Sequence, residues 1–140
     1  MTTTAANLER EVWQRAGGAC EYCHMSHEFY RIPFQLDHIV AQQHGGATTS
    51  DNLCLCCFHC NLHKGPNIAS IDPQTQQLAR LFHPRRDQWD EHFAWQAHEL
   101  VGLTPIGRAT IRCLAINDAE YRAVRAALLL EGVFPPQGPR

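Results

Sequence analysis

Two hydrophobic periods alternate along this chain, and turn residues mark where one gives way to the other. From Ala5 to Ala16 the apolar residues Leu8, Val12 and Trp13 fall at i, i+4 and i+5, which predicts a helix with one buried face, stopped by Gly17-Gly18. Over residues 34–40 (FQLDHIV) the period shortens to two. Phe34, Leu36, His38 and Val40 lie on one side and Gln35, Asp37 and Ile39 on the other, as in a short strand. Residues 42–50 contain Gly45-Gly46 and several Thr and Ser, so they form a loop. Leu53–Cys56 reads as a second strand. Phe58–Lys64 is long enough for two helical turns, closed by Gly65-Pro66. The local order is strand, loop, strand, short helix.

Beyond Pro66 the pattern changes. Residues 68–71 and 78–82 read as the arms of a hairpin around a turn containing Asp72-Pro73. Residues 83–87 form a loop, with Asp87 placed to cap a short helix reaching Phe93, and residues 93–103 suggest another hairpin. Thr104-Pro105 looks like N-cap and N1 of a helix to about Ile116. Asn117 or Asp118 starts a last helix through Leu130, whose apolar face is assigned to Val124 and Leu128-Leu129-Leu130. The tail from Phe134 reads as frayed. No repeat or linker divides residues 1–140, so the expectation is one α+β domain.

Composition agrees with this. A chain of 140 residues that is 44 % hydrophobic supports one modest core. No apolar run approaches the roughly 20 residues of a membrane span, so no membrane association is expected. The N-terminal segment has neither a basic nor an apolar signal-peptide region, and the expected location is cytoplasmic. In that setting seven cysteines are read as metal ligands and buried thiols rather than disulfides.

The two Cys-x-x-Cys pairs are the strongest chemical signal. Cys20 with Cys23 and Cys57 with Cys60 could each bite one metal from a tight turn and together complete a closed tetrahedral thiolate site. Cys54 and Cys57 have the same spacing, but 57/60 is preferred because Cys60 begins the short helix and Cys57 sits in the turn before it. Cys54, Cys56 and Cys113 then read as buried thiols, and a neighbouring His24, His27 or His59 remains an alternative ligand. Four thiolates leave no position for water, so this metal would be structural zinc.

Beside that site lie Asp37-His38, Asn52 at the start of the second strand, and Asn61 and Lys64 on the short helix. The segments LDHIV, DNL and CFHCNLHKG together resemble the HNH endonucleases, a family built on the ββα-metal or His-Me finger fold, in its zinc-bearing four-cysteine subgroup. The resemblance covers about residues 18–66 and leaves 67–140 as an extension of hairpins and helices. It implies that His38 is the general base activating water and that Asp37 binds a catalytic Mg²⁺ or Mn²⁺. It also implies that Asn61 is the second metal ligand and that Asn52 braces the loop between the strands. The third position is often His in the family, so this is an HNN variant. His63 is the alternative ligand, although on an ideal helix it points well away from Asn61.

The implied activity is metal-dependent hydrolysis of DNA, duplex above all, leaving 5′-phosphate and 3′-hydroxyl ends. Lys64, Arg85 and Arg86 are candidates to hold phosphates, although the His83-to-Asp87 loop reads equally as solvated or ion-paired. A homodimer or protein partner would serve double-strand cleavage. Arg108, Arg112, Arg122 and Arg125 are expected as exposed stripes, and Trp89, Phe93 and Trp95 as core. The net charge of −2 weighs against nucleic acid. Lys64 is the one lysine among twelve basic residues, and Arg is the better bidentate phosphate ligand, though GC-rich codon usage would explain the bias as well. The competing reading is a non-catalytic, zinc-stabilised module binding nucleic acid or protein on the same scaffold.

Overall fold

In the computed structural model, which describes residues 4–136, the described chain is α+β, with three separate antiparallel hairpins, five α-helices and three single 3-10 turns. Helix α1 (Ala5–Ala16) starts at Thr4, whose hydroxyl accepts from Asn7 N at 3.1 Å, and ends at left-handed Gly17. It buries Val12 and Ala16 against β2.

Strands β1 (Gln35–His38) and β2 (Leu53–Cys56) pair antiparallel, with Asp37 opposite Cys54 and His38 opposite Leu53. The first strand is shorter than its alternation suggests. At Val40 the Asn52 side chain replaces the ladder, with Oδ1 accepting from Val40 N and Nδ2 donating to Val40 O. Helix α2 (Phe58–Lys64) follows β2 and lies across β1.

The extension supplies two more hairpins, β3 (Ala69–Ile71) with β4 (Leu78–Arg80) and β5 (Phe93–Gln96) with β6 (Glu99–Gly102). One-turn helix α3 (Trp89–His92) precedes β5, and α4 (Pro105–Cys113) packs on β3, β4 and β6. Gly107 makes this approach feasible, because a Cβ there would lie 2.1 Å from His92 O. The cap of α3 is Gln88 rather than Asp87. Asp87 instead accepts from His83 N and takes Arg80 bidentately at 2.7 and 2.9 Å.

The last helix, α5 (Ala119–Leu130), buries only part of the face its sequence suggests: Leu128 is buried and Leu129 packs against the core, but Tyr121 and Arg125 turn inward as well. Tyr121, Arg125 and Leu128 are buried, whereas Val124 is exposed and Leu130 is 91 % exposed. Arg125 therefore belongs to no surface stripe. Its guanidinium donates to His98 O, Ile116 O and Asn117 Oδ1 and lies over the rings of Trp95 and Tyr121. Phe93 is buried, with Trp89 and Trp95 packed against the core. Phe134 is buried too, so the tail is anchored at its start; residues 137–140 lie outside the described part. Among the described residues no helix is long and apolar enough to cross a membrane.

Asp72 locks the β3–β4 turn to α4. Its buried carboxylate takes the Arg108 guanidinium at 2.9 and 3.0 Å and also accepts from Gln74 N and Thr75 Oγ1. Arg108 chiefly, with these other donors, holds Asp72 well below the usual carboxylate range. A carboxylate depressed on folding stabilises the native state above its unfolded pKa of about 3.9 and loses that contribution as pH falls toward the folded value. Asp72→Asn should therefore lower the melting temperature at pH 7, and the gap to wild type should narrow as thermal melts are repeated below about pH 4.

Candidate functional site

The turn after α1 brings the first cysteine pair together. Cys20 N donates to Met25 O and His24 N to Cys20 O, closing a knuckle with His24 in the left-handed region. Cys57 is the N-cap of α2 and accepts from Cys60 N. The four sulfurs of Cys20, Cys23, Cys57 and Cys60 all lie within 4.8 Å of one another, and Cys23 and Cys57 are 3.8 Å apart. Tetrahedral zinc with bonds of about 2.3 Å requires sulfurs about 3.8 Å apart, so the donor set and its spacing fit. Burial pushes the Cys57 and Cys60 thiols up, reinforced by contact with Cys20 and Cys23, while contacts with the surrounding thiols outweigh burial and draw Cys20 down. A divalent cation would supply the charge that lets four adjacent thiols ionise together.

Cys54 and Cys56 are buried but lie outside this group. The nearby histidines do not enter it either: His24 stacks on Trp89, His27 meets Trp13 edge-on, and His59 stacks on Tyr121 while bonding Ala115 O. Tyr121 is a neighbour that sequence reasoning missed. Its hydroxyl donates to Cys57 Sγ at 3.0 Å and lies 3.6 Å from Cys23 Sγ, so α5 closes over the cluster.

A second, open site lies where α2 crosses β1. Gln35 and Asp37 share one face of the strand, and Asn61 and Lys64 are one turn apart on the helix, so the two elements meet in two rungs. In one rung, Asn61 Nδ2 donates to Gln35 Oε1 at 2.6 Å. In the other, the buried Lys64 ammonium lies 3.1 Å from Asp37 Oδ2 and also reaches His38 O. Asp37 Oδ2 accepts from Tyr22 OH at 3.0 Å, with Cys54 Sγ at 3.7 Å. Burial raises the Asp37 pKa, and Lys64 and Tyr22 oppose the rise.

A shallow cleft of about 230 Å³ at this crossing is lined by Asp37, His38 and Asn61 with Leu36, Gln42 and Pro66 among its walls. His38 Nε2 lies 2.8 Å from Thr48 Oγ1, within hydrogen-bond distance. The loop carrying Thr48 is held by Asn52, which donates to Ala47 O as well as bonding Val40. Gly46 permits that closeness, since a Cβ there would lie 1.7 Å from Val40 O. The donor set of the cleft, one carboxylate and one amide oxygen beside an imidazole, suits a hard cation that keeps most of its waters.

Several candidate residues sit elsewhere or are already engaged. His63 turns away from the cleft, with Nδ1 on His59 O and its ring against His59, because it lies on a different side of α2 from Asn61. Lys64 is 1 % exposed and paired with Asp37, so its charge is not presented to a phosphate. Arg85 is paired with Glu21 rather than with Asp87, Asp90 or Glu91, and its pKa is lowered to about 10 by burial and by nearby Arg15. Arg86 is exposed. Tyr22 and Glu21, between the knuckle cysteines, are further residues that sequence reasoning passed over. Glu21 holds Leu55 N as well as Arg85. Their position inside Cys-x-x-Cys was the available signal, since whatever stands there must lie beside the cluster.

Residues 20–67 match the family described as HNH endonuclease. No curated protein and no solved structure matches the chain. The chain thus carries an HNH-like domain over under half its length, with a ββα-metal-like arrangement of β1, β2 and α2, a four-cysteine cluster able to bind a metal ion, and flanking helices.

The geometry separates the cysteines by consequence. Cys57→Ser should abolish metal retention at the cluster, measured by atomic emission, and strongly lower the melting temperature. Cys54→Ser should retain the metal and cost about 1 kcal/mol, a shift of a few degrees. Equal metal loss in both variants would contradict the assignment.

Proposed function

We propose that this protein is a metal-dependent endonuclease that hydrolyses DNA phosphodiester bonds, with structural zinc at the four cysteines and Mg²⁺ or Mn²⁺ in the open cleft. The observation that carries this reading is the meeting of Asp37, His38 and Asn61 around one open cleft within the segment that matches the nuclease family. His38 takes the proton of the attacking water. With Nε2 engaged by Thr48, the ring is oriented and Nδ1 is the nitrogen left for that proton. Asn52 acts one step back, fixing the loop that carries Thr48. Asp37 and Asn61 supply the oxygen donors. A bound divalent ion would polarise the phosphate and stabilise the leaving 3′-oxygen as a Lewis acid. Lys64 keeps Asp37 and the His38 carbonyl in place.

DNA, as duplex, is the proposed substrate. Arg86 is the exposed candidate for phosphate contact, and one centre per chain would cut both strands through a second copy, a protein partner or two successive nicks. A second reading, a non-catalytic binding module, draws support from the net charge of −2 and from the Lys64 ammonium already seated on Asp37.

Cleavage separates the two readings. Wild-type protein with Mg²⁺ or Mn²⁺ should nick plasmid DNA, and EDTA should stop it. His38→Ala should cut about 10²–10⁴-fold more slowly with melting temperature and zinc content preserved. Absence of metal-dependent cleavage of DNA and RNA by the wild type, or full activity of the variant, would favour the binding module.

A further inference from the structure

Tyr22 belongs to the closed site by its backbone and to the open one by its side chain. It stands between Cys20 and Cys23, in the knuckle closed by Cys20 N on Met25 O and His24 N on Cys20 O. The residue is buried outright and is not among the walls of the cleft, so it meets no ligand there directly. Three contacts fix it. Its carbonyl accepts from Trp89 Nε1 at 3.0 Å, its ring meets Phe82 edge-on, and its hydroxyl donates to Asp37 Oδ2 at 3.0 Å.

The Lys64 ammonium lies 3.1 Å from Asp37 Oδ2 and 3.3 Å from Oδ1, so it spans both oxygens without distinguishing them. Tyr22 donates to Oδ2 alone, and Cys54 Sγ approaches the same atom at 3.7 Å. Half a turn of a carboxylate restores the same arrangement. What the hydroxyl fixes is therefore the plane of the group, with one oxygen engaged and the other keeping free lone pairs. Among the described residues Oδ1 has no partner but Lys64, and Asp37 lines the cleft. We propose that Tyr22 is a positioning residue: it holds Asp37 so that one carboxylate oxygen remains for a hard divalent cation, and it couples that cation to the metal tying the knuckle to α2. Coupling of this kind is reciprocal, so each ion's binding is felt at the other site. The proposal rests on the reading of the cleft as a divalent-cation site, and on no step of the cleavage reaction.

Partners that orient metal ligands from behind typically change affinity by about 10–100-fold when removed. The first test is Mn²⁺ binding, followed by electron paramagnetic resonance on the full chain with its cysteine cluster loaded with zinc. Tyr22→Phe keeps the ring and removes the hydroxyl, and should weaken Mn²⁺ binding by about tenfold with zinc content unchanged. Asp72→Asn, which disturbs the fold away from the cleft, should stay within about twofold of wild type. The second test puts cadmium in the cluster, which its four thiolates hold well, and adds Mg²⁺. In wild type the cadmium NMR resonance should move as Mg²⁺ fills the cleft. In Tyr22→Phe it should stay still even when Mg²⁺ is raised about tenfold to refill the weakened site.

A merely structural role for the hydroxyl would cost Tyr22→Phe its zinc, or weaken Mn²⁺ binding no more than Asp72→Asn does, and either result overturns the proposal. So does Tyr22→Phe binding Mn²⁺ as wild type does, a wild-type cadmium resonance that Mg²⁺ leaves in place, or a wild type that binds no Mn²⁺ beyond its cysteine cluster. A wild type that binds Mn²⁺ with the expected dependence on Tyr22 yet cuts neither DNA nor RNA would remove the nuclease reading and leave the positioning role standing. Metal-dependent cleavage alongside unchanged Mn²⁺ binding in Tyr22→Phe would do the reverse.

Discussion

Four sulfurs from two distant segments converge to within 4.8 Å, and the rest of the molecule is arranged around that convergence. The knuckle after α1 brings Cys20 and Cys23, and the start of α2 brings Cys57 and Cys60. Everything between them, including β1, the loop and β2, is thereby closed into one unit. A metal bridging these turns would contribute directly to folding, because the unfolded chain offers no such site. The extension is tied to the same point through Tyr121, whose hydroxyl donates to Cys57, and α5 is pinned in turn by the buried Arg125. Four thiolates on one ion would leave no position for water, which suits the cluster to holding the fold.

The closed site and the open one are nevertheless in contact. Tyr22 stands between two of the cysteines and donates to Asp37 at 3.0 Å, so the knuckle geometry reaches the carboxylate of the cleft through one side chain. Lys64 completes the arrangement from α2. A buried ion pair contributes little net stability, but breaking it from one side costs about 3–5 kcal/mol. The pair therefore specifies a position more than it stabilises the fold: it holds the helix, the strand and the His38 carbonyl in one relation.

What was legible in the sequence followed from short-range rules. Gly17 ends α1 as its capping chemistry requires, Thr104-Pro105 opens α4, and the paired hairpins follow from period-two segments around turn residues. The cysteine pairs were legible because spacing within a turn is local. The open cleft was legible only as a set of residue types, since Asp37 and His38 come from a strand and Asn61 from a helix more than twenty residues on. What sequence concealed was the fate of charge. Arg125, Lys64 and Arg85 look solvated by type, yet each is buried wholly or in part against acceptors that the fold assembles: carbonyls for Arg125, Asp37 for Lys64, Glu21 for Arg85. On α5 the strongly apolar Leu130 is exposed, because the inward face had to meet the cysteine cluster and suited Tyr121 and Arg125.

That burial of charge bears on how a protein of net charge −2 could approach a polyanion. Lys64, Arg85, Arg108 and Arg125 are each committed to an internal acceptor, so the basic count overstates the positive surface available. Counterion release by surface lysines and arginines, which usually dominates such binding, can then supply only part of the attraction. Under the nuclease reading the remainder must come from the cleft itself, where a divalent ion would place two positive charges beside His38. Affinity would then be concentrated at the reacting phosphate instead of being spread along the duplex. Such a design would spend its binding where the reaction occurs, and the two oxygen donors proposed for that ion, Asp37 and Asn61, would then serve recognition and chemistry jointly.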